Sequence, residues 1–381
     1  MTTHHAIAIV GGGLGGLTLA RVLHTRGIEA ALYESEASSG VRGQGGMLDI
    51  HHDSGQVALR AAGLYDEFRA LVHPGGESMR VLDKHGKVRL EQEDDGQGGR
   101  PEVDRGHLRD LLLGSLPEGT IRWGAKATGA RRLATGAYEV TLADGSAFTA
   151  DLLIGADGAW SRVRPLVSDD VPAYTGVSFI EFDLRDADAR HPDAAAVVGG
   201  GMLFALGEGS GLLAHRETDG SLHVYAALKA PQEWAADVEF GDRRAAKDAL
   251  LARFAGWDER LRALIVEADG ALVPRPIHAL PVAHRWPRVP GVTLLGDAAH
   301  LMSPFAGEGA NLAMLDGARL AQCLAARPGD TEGALAAYEE EMFPRSEESA
   351  KGSADNLEVC FRHDAPQGLL DQFALYARQE D

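Results

Sequence analysis

Short apolar runs alternate with helical spacings over the first 170 residues. Ala6–Val10 is an apolar run suited to a strand buried on both faces. Leu14, Leu17, Ala20, Val22 and Leu23 then follow helical spacing, and Gly27 supplies a stop. Ala30–Tyr33 reads as a second strand ending at Glu34, and such a βαβ start implies a parallel sheet. Gln56–Leu64 and Val103–Leu116 carry helical spacing, while 40–46 and 91–99 read as glycine-rich loops. Tyr138–Leu142, Asp144-Gly145 and Ser146–Thr149 have the form of a hairpin, because Asp-Gly reaches positive φ cheaply. Asp151–Gly155 reads as a buried strand returning to the first sheet.

From about Val171 to Gly270 the pattern changes to extended segments broken by glycines, such as Leu222–Ala227, which suggests a separate, mostly antiparallel sheet. Helices are expected over 248–254, 258–267 and 310–326. Two more, 335–343 and 345–361, are expected to be separated by Pro344, which lacks a donor. Leu357, Cys360 and Phe361 give the last of them a one-sided apolar stripe suited to bridging two lobes.

Composition narrows the function. At 381 residues the chain has room for two lobes. Its 56 Asp and Glu against 37 Lys and Arg, a net charge of −19, argue against binding nucleic acid through phosphate neutralisation. Two cysteines, Cys323 and Cys360, provide no disulfide framework and no zinc spacing. With no apolar run long enough to cross a bilayer, and a first strand that begins almost at Met1, a cytoplasmic protein is expected.

Gly11, Gly13 and Gly16 form G-x-G-x-x-G between the first strand and helix. The first glycine permits the tight turn, the second lets backbone approach a pyrophosphate, and the third lets helix pack on strand. Helix-start amides, beginning at Leu14, face the phosphate. Glu34, about 20 residues on, can accept from ribose hydroxyls. This cradle suits NAD(P) or FAD alike. A second constellation favours FAD. Leu294–His300 ends a strand with Asp297 among small neighbours, placed to accept from a ribityl hydroxyl. Ser303–Asn311 then opens a helix whose N-terminus can stabilise negative charge on a reduced flavin ring.

These segments, with the intervening Ala156–Arg164 stretch (Ala-Asp-Gly-Ala-Trp-Ser-Arg-Val-Arg), resemble in order the three signatures of class A flavin-dependent aromatic hydroxylases, the para-hydroxybenzoate hydroxylase-like group. Within it, Gly45–His51, Ser54-Gly55-Gln56, Trp257–Arg260 and Pro304–Gly307 are similar to tetracycline-inactivating monooxygenases. The resemblance implies an α/β fold: a Rossmann-type FAD-binding domain with a parallel sheet, a mostly antiparallel-sheet substrate domain and a C-terminal bridging helix. The expected division is 1–170 with 271–330 for FAD, with an excursion near 75–100 into the other lobe, 171–270 for substrate, and 331–381 for C-terminal helices.

It further implies that Arg42, Asp49 and Arg105 line the FAD site. Asp157 and Arg164 of the middle motif, and Pro304, Gly307, Gly309, Ala310 and Asn311 of the last loop, are expected there too. Ser161 and Arg164 are expected to face phosphate or ribose. Substrate would meet Glu181, Met202, His223, Phe305, Ala306, Asn356, Cys360 and Phe361. Glu181 and Met202 depart from the family's glutamine and arginine at those positions, which changes the groups a ligand can pair with on burial.

The implied activity is that of an NADPH- or NADH-driven monooxygenase. Its substrate is an electron-rich phenol or enol, an aromatic or polyketide compound of which tetracycline is one candidate. The family chemistry belongs to a flavin hydroperoxide formed with dioxygen, so no protein nucleophile or metal is expected, and the enzyme is expected to be a monomer. Alternatives on the same fold are a reductase and a flavoprotein that sequesters a drug or pigment without turnover.

Overall fold

The computed structural model describes residues 2–40, 46–94, 96 and 99–380, with side chains as far as residue 375. Its strands are β1 Thr3–Val10, β2 Ala31–Tyr33, β3 Met47–Asp49, β4 Met79–Asp83, β5 Val88–Gln92, β6 Glu102–Asp104, β7 Ile121–Arg122 and β8 Ala127–Arg132. They continue with β9 Tyr138–Leu142, β10 Ala147–Gly155, β11 Ala173–Leu184, β12 Met202–Gly207, β13 Ser210–Arg216, β14 Leu222–Lys229, β15 Asp269–Ala279 and β16 Val292–Leu294. The helices are α1 Leu14–Thr25, α2 Gly55–Ala62, α3 Tyr65–Arg69, α4 Arg105–Gly114, α5 Ala187–Arg190 and α6 Pro192–Val198. After them come α7 Arg243–Arg253, α8 Glu259–Val266, α9 Asp297–His300, α10 Gly309–Ala326, α11 Thr331–Cys360 and α12 Gln367–Glu380.

The first sheet runs β7-β2-β1-β10, and every pair in that run is parallel. The C-terminal half of β10 pairs with β16 in parallel, and its N-terminal half pairs with β9 in antiparallel, which continues to β8. The Asp-Gly turn thus feeds directly into the central strand: the hairpin arm and the returning strand 151–155 are one element. Burial explains the apolar run in β1, where Ala8, Ile9 and Val10 are all in the core. α1 stops where Gly27 takes φ +70° and Ile28 N–H donates back to Leu23 O at 3.0 Å, satisfying a terminal carbonyl.

α1 crosses α10 at very close range. A Cβ on Gly15 would stand 2.7 Å from Ala313 O, and one on Gly317 would stand 2.4 Å from Gly15 O. Only glycine at both places lets the two helices approach this closely, which brings the 303–309 loop up to the first glycine turn.

The second sheet runs β15-β11-β14-β13-β12-β4-β5 and is antiparallel except between β12 and β4. β4 and β5 come from the 75–100 stretch and extend this sheet beyond β12. The segment 271–279, expected in the FAD lobe, belongs instead to β15 and pairs with β11. Pro274 and Pro276 lack donors, and an edge strand tolerates them because one side of it needs no ladder. One face of this sheet, with Ile180, Phe182, Val224 and Ala226, is covered by α6, α7 and α8. The other face turns toward the first lobe.

The second departure is at Pro344. The helix α11 continues through it for 30 residues, about 45 Å at 1.5 Å per residue. One lost donor is outweighed by packing on both sides of the proline. Tyr338 and Met342 join the core of the first sheet. Leu357, Cys360 and Phe361 join a cluster on the second sheet.

Candidate functional site

The glycine turn is built by exclusion. Gly11 has φ +109°, and a Cβ there would stand 2.1 Å from Ala156 O. A Cβ on Gly16 would stand 2.1 Å from Gly11 O. Gly13, by contrast, faces open space, and as N-cap of α1 it provides no side-chain cap. The first-turn amides from Leu14 onward are therefore free to meet an anion, and the helix dipole favours one. Glu34 is buried beside the turn: its Oε2 accepts from Gly12 N–H at 2.6 Å, and its Oε1 from Ser35 Oγ and Glu36 N–H. A carboxylate retains lone pairs for a ribose hydroxyl after those bonds.

The middle motif is a self-contained brace. Asp157 Oδ1 accepts from Ser161 Oγ and Oδ2 from Arg162 N–H, both at 2.6 Å, which orders the turn. Arg164, expected to face phosphate or ribose, is turned inward. It is buried, and its guanidinium donates to Ala298 O at 3.2 Å and Ala159 O at 2.6 Å. Ala159 O of its own motif and Ala298 O beside the Asp297 turn accept from it, so Arg164 bolts the middle motif to α9. The Ser161 hydroxyl is likewise spent on Asp157 and on the amides of 163 and 164.

Gly296 takes φ +57° and its N–H donates to Asp316 Oδ2 at 3.0 Å. Asp316 is fully buried and also accepts from His300 Nε2 at 2.6 Å and Arg345 at 2.7 Å. Burial would raise its pKa, but these cations hold it below the ordinary carboxylate value. The sequence reading missed this brace, because its partners lie 16 to 29 residues away on other helices. It fixes the turn that presents Asp297. Asp297 is exposed, its carboxylate has no hydrogen-bond partner among the described residues, and the Cβ position of Gly309 is 4.0 Å from its Oδ1. Desolvation by the surrounding protein raises its pKa, while His300 and Arg105 pull the other way.

Arg105 begins α4 directly after its N-cap Asp104. It is exposed, has no ion-pair partner among the described residues, and acts electrostatically on both Asp297 and Tyr225. α10 has Glu308 as N-cap without a side-chain cap, so its start is also open to negative charge. Gly309 and Ala310 form its first turn. Pro304 and Gly307 are exposed on the same rim.

Asp49, expected at this site, is held by a residue that the sequence did not single out. The buried His51 bonds Asp49 Oδ2 through Nε2 at 2.7 Å and Glu308 Oε1 through Nδ1 at 2.8 Å. Burial alone would lower its pKa, but the two carboxylates override that and carry it to about 9. Asn311 completes the clasp: Oδ1 accepts from His51 N–H, and Nδ2 donates to Asp49 O and Gly307 O. Both its donors are used within the protein, so the side chain of Asn311 positions the rim. Arg42 lies outside the described residues.

Sheet register gathers the expected substrate residues. Met202 pairs with His215, His215 with His223, and His223 with Asp183, so all four share one face. The next row on that face is Phe204, Leu213, Tyr225 and Glu181. This face meets Phe305, whose ring lies 5.7 Å from Phe179 and 5.5 Å from Phe361. Ala306 follows Phe305 in the same short 3-10 turn. Cys360 is buried beside Phe361, and burial pushes its thiol up to about 12. Asn356 is committed elsewhere: Nδ2 donates to Phe305 O at 2.8 Å and Oδ1 accepts from Gln372 at 2.7 Å. It shapes the Phe305 turn, with its amide oxygen already engaged. Glu181 accepts from Arg275 at 2.7 Å. No group of three His, Cys, Asp or Glu side chains among the described residues is arranged to hold a metal ion.

The residues present fit FAD: two uncapped helix starts, an unpartnered carboxylate between them, and a glycine that leaves room for a phosphate. The family model described as "FAD binding domain" matches residues 4–353. Monooxygenase penA of Penicillium thymicola is 33% identical over 94% of this chain and 96% of its own length. The crystal structure of Klebsiella pneumoniae HpxO with FAD and uric acid is similar at TM-score 0.79 and 24% identity, covering 99% of this chain and 93% of that one. Tetracycline destructase Tet(51) shares the fold at TM-score 0.73 and 19% identity, covering 100% and 96%. No helix among the described residues is long and apolar enough to cross a membrane. The chain thus belongs to the FAD binding domain family and is an FAD-dependent monooxygenase of the aromatic hydroxylase type.

Proposed function

We propose that the enzyme uses NADPH, or NADH in its place, and dioxygen to hydroxylate an electron-rich phenolic or enolic compound in the space between the two sheets. The observation that carries this reading is the second sheet's inward face, where polar His215, His223, Asp183 and Glu181 adjoin the apolar wall of Phe179, Phe305 and Phe361. A planar ring with one polar edge suits such a site. That HpxO is crystallised with uric acid, an enolisable heteroaromatic, agrees with it.

Bound FAD supplies hydride acceptance and the activation of dioxygen. Gly11, Gly13, Gly16 and the Leu14 amide would hold its pyrophosphate, Glu34 its ribose and Asp297 a ribityl hydroxyl, with Arg105 also lining the site. The uncapped start of α10 would stabilise negative charge on the bound flavin. Phe305 and Phe361 exclude water from the oxygen-transfer region, which limits loss of oxidising equivalents as peroxide. Asp157, Arg164 and Asn311 act by holding these elements in register.

Tetracycline is one member of the class. Glu181 and Met202 present an ion-paired acid and a thioether toward it, so a smaller phenol with a hydrogen-bond donor is the better match. The same reading takes the enzyme as a cytoplasmic monomer, which fractionation and light scattering check.

The test is a panel of phenols, hydroxyquinolines and polyketides, tetracycline among them, incubated with NADPH and the holoenzyme. The reading expects ligand-stimulated oxygen uptake and a product one oxygen heavier. Tight binding without uptake would instead identify a sequestering protein, and oxidation of NADPH with reduction of the ligand a reductase.

A further inference from the structure

The proposed oxygenation gives no role to two buried acids, Glu102 and Glu217. They are 7% and 8% exposed, and Glu102 Oε2 and Glu217 Oε1 have no hydrogen-bond partner among the described residues. Their elements close on one space. Glu217 lies two residues beyond His215, hence on the same face of the second sheet, and its N–H donates to Ser221 O at 2.9 Å. Glu102 opens β6 opposite Asp49 of β3. A Cβ on Gly76 would stand 2.7 Å from Glu102 Cβ, and one on Gly201 would stand 2.6 Å from Gly76 O. Glu102 therefore sits over the start of β12, where Met202 pairs with His215. Met47, Met202 and His215 are half-buried, so the β3–β6 ribbon and the sheet face each other across a space that a ligand can enter.

This space lacks a cation to match its acids. Burial, with Asp49, Glu217 and Glu77, holds Glu102 well above the ordinary carboxylate value, against the pull of His51. Burial carries Glu217 up to about 7, against the pull of His223 and with help from Asp104, Asp219 and Asp183. The nearby cations are engaged elsewhere. His223 Nδ1 lies 2.6 Å from Asp183 Oδ1, and His51 is clasped between Asp49 and Glu308. Arg216 donates to Gly199 O at 2.7 Å and to Asp188 at 3.0 Å. Arg100 is exposed and comes no nearer than 4.0 Å to Asp49. Burial and Arg216 lower the pKa of His73, and burial drives His215 down to about 4, so neither is a cation at neutral pH.

We propose that Glu102 and Glu217 form a subsite for a protonated amine, so that the compound hydroxylated is a phenol or enol carrying a basic nitrogen away from the ring to be oxidised. An ammonium group brings the charge this space lacks and N–H donors for carboxylate oxygens that only accept. As it binds, the O–H bonds of whichever acids are protonated break, the protons pass to solvent, and the carboxylates accept from the ammonium. A ring bearing a carboxylate would instead add a further acid to this space. The inference rests on the proposed hydroxylation of a phenol or enol, whose substrate class it narrows.

The test uses the holoenzyme and size-matched ligands: tyramine with its longer-chain aminoalkyl homologues, and for each chain length the corresponding alcohol and carboxylate, tyrosol and para-hydroxyphenylacetate at the shortest. Affinity is read from the change in flavin absorbance. Calorimetry in two buffers of different ionisation enthalpy reads the protons released. The best amine is expected to bind about 10- to 100-fold more tightly than its alcohol. It is expected to release about one proton at neutral pH, because the acids hold protons beforehand. Glu217→Gln and Glu102→Gln should each bring the affinity ratio toward unity and reduce the proton release. FAD content serves as the control for folding, and if a variant loses its flavin the wild-type ratio and proton count decide alone.

Equal affinity for amine and alcohol, a preference for the carboxylate, or no binding of any amine overturns the proposal, as does binding of the amine without proton release. If no phenol of any charge stimulates oxygen uptake, the oxygenation reading fails, while the affinity ratio and proton count still decide the subsite. If the alcohols are hydroxylated and the amines are not preferred, the subsite fails and the oxygenation reading stands.

Discussion

Replacing His51 with glutamine removes a cation held between two carboxylates, and the consequence depends on pH with a definite sign. In the folded protein its pKa is about 9, against an ordinary 6.5. A folded value above the unfolded one means that the contribution to stability is fully present below 6.5 and is lost as pH rises through about 9. At 1.36 kcal/mol per tenfold change in proton affinity, that gap corresponds to about 3 kcal/mol as a ceiling. The His51 side chain is 4% exposed but Asp49 is 30% exposed, so screening at that end lowers the figure toward about 2 kcal/mol.

The assay is urea unfolding of both proteins with saturating FAD at about pH 6.5, 8 and 9.5, so that ligand linkage is held fixed. The wild type should lose about 2–3 kcal/mol more than His51→Gln over that range. FAD dissociation from the wild type should quicken over the same interval, because Glu308 is tied to Asp49 of β3 through this imidazolium. Parallel stability curves for the two proteins would refute the reasoning.

Further expectations follow from single contacts. Gly16→Ala places a methyl 2.1 Å from Gly11 O, an overpacking of about 1–3 kcal/mol. FAD binding, measured by flavin fluorescence, should weaken about 5- to 100-fold, and an unchanged Kd would contradict the cradle. Phe361→Ala opens a cavity where the ring is 2% exposed and should cost about 3–5 kcal/mol in denaturant midpoint. The same variant should release more peroxide per NADPH. Glu217 titrates near 7 when folded against an ordinary 4.5, so the unfolded chain ionises first and stability falls as pH rises from 4.5 to about 7. Glu217→Gln should flatten that decline, and a decline of wild-type size would show that another group causes it.

How much of this could be read from sequence depends on how local the cause is. The glycine turn is legible because each glycine answers a steric demand within the βαβ unit, and only the strand-to-helix context is needed to see it. The same holds for the Asp-Gly hairpin and for the stop at Gly27. The direction of Arg164 was not legible because its motif fixes position but not rotamer; two carbonyls, one of them 134 residues away, hold its guanidinium. His51 went unnoticed because Glu308 lies 257 residues away in the chain. The Asp183–His223 pair depends on antiparallel register between β11 and β14, which a lone histidine on a strand does not reveal. The segment 271–279 was expected in the FAD lobe because nothing local in its sequence reveals that it pairs with β11 at the edge of the second sheet. Pro344 was taken as a break because local propensity ignores the packing that holds both halves of α11.

The central claim is that this fold delivers one atom of dioxygen to a ring held between its two sheets. Mass spectrometry of the product formed from isotopically labelled dioxygen, with NADPH consumption counted alongside, tests it most directly. One labelled oxygen per product, with one NADPH consumed for each, is the predicted result. Label arriving from water, or NADPH converted wholly to peroxide with every phenol in the panel, would contradict it.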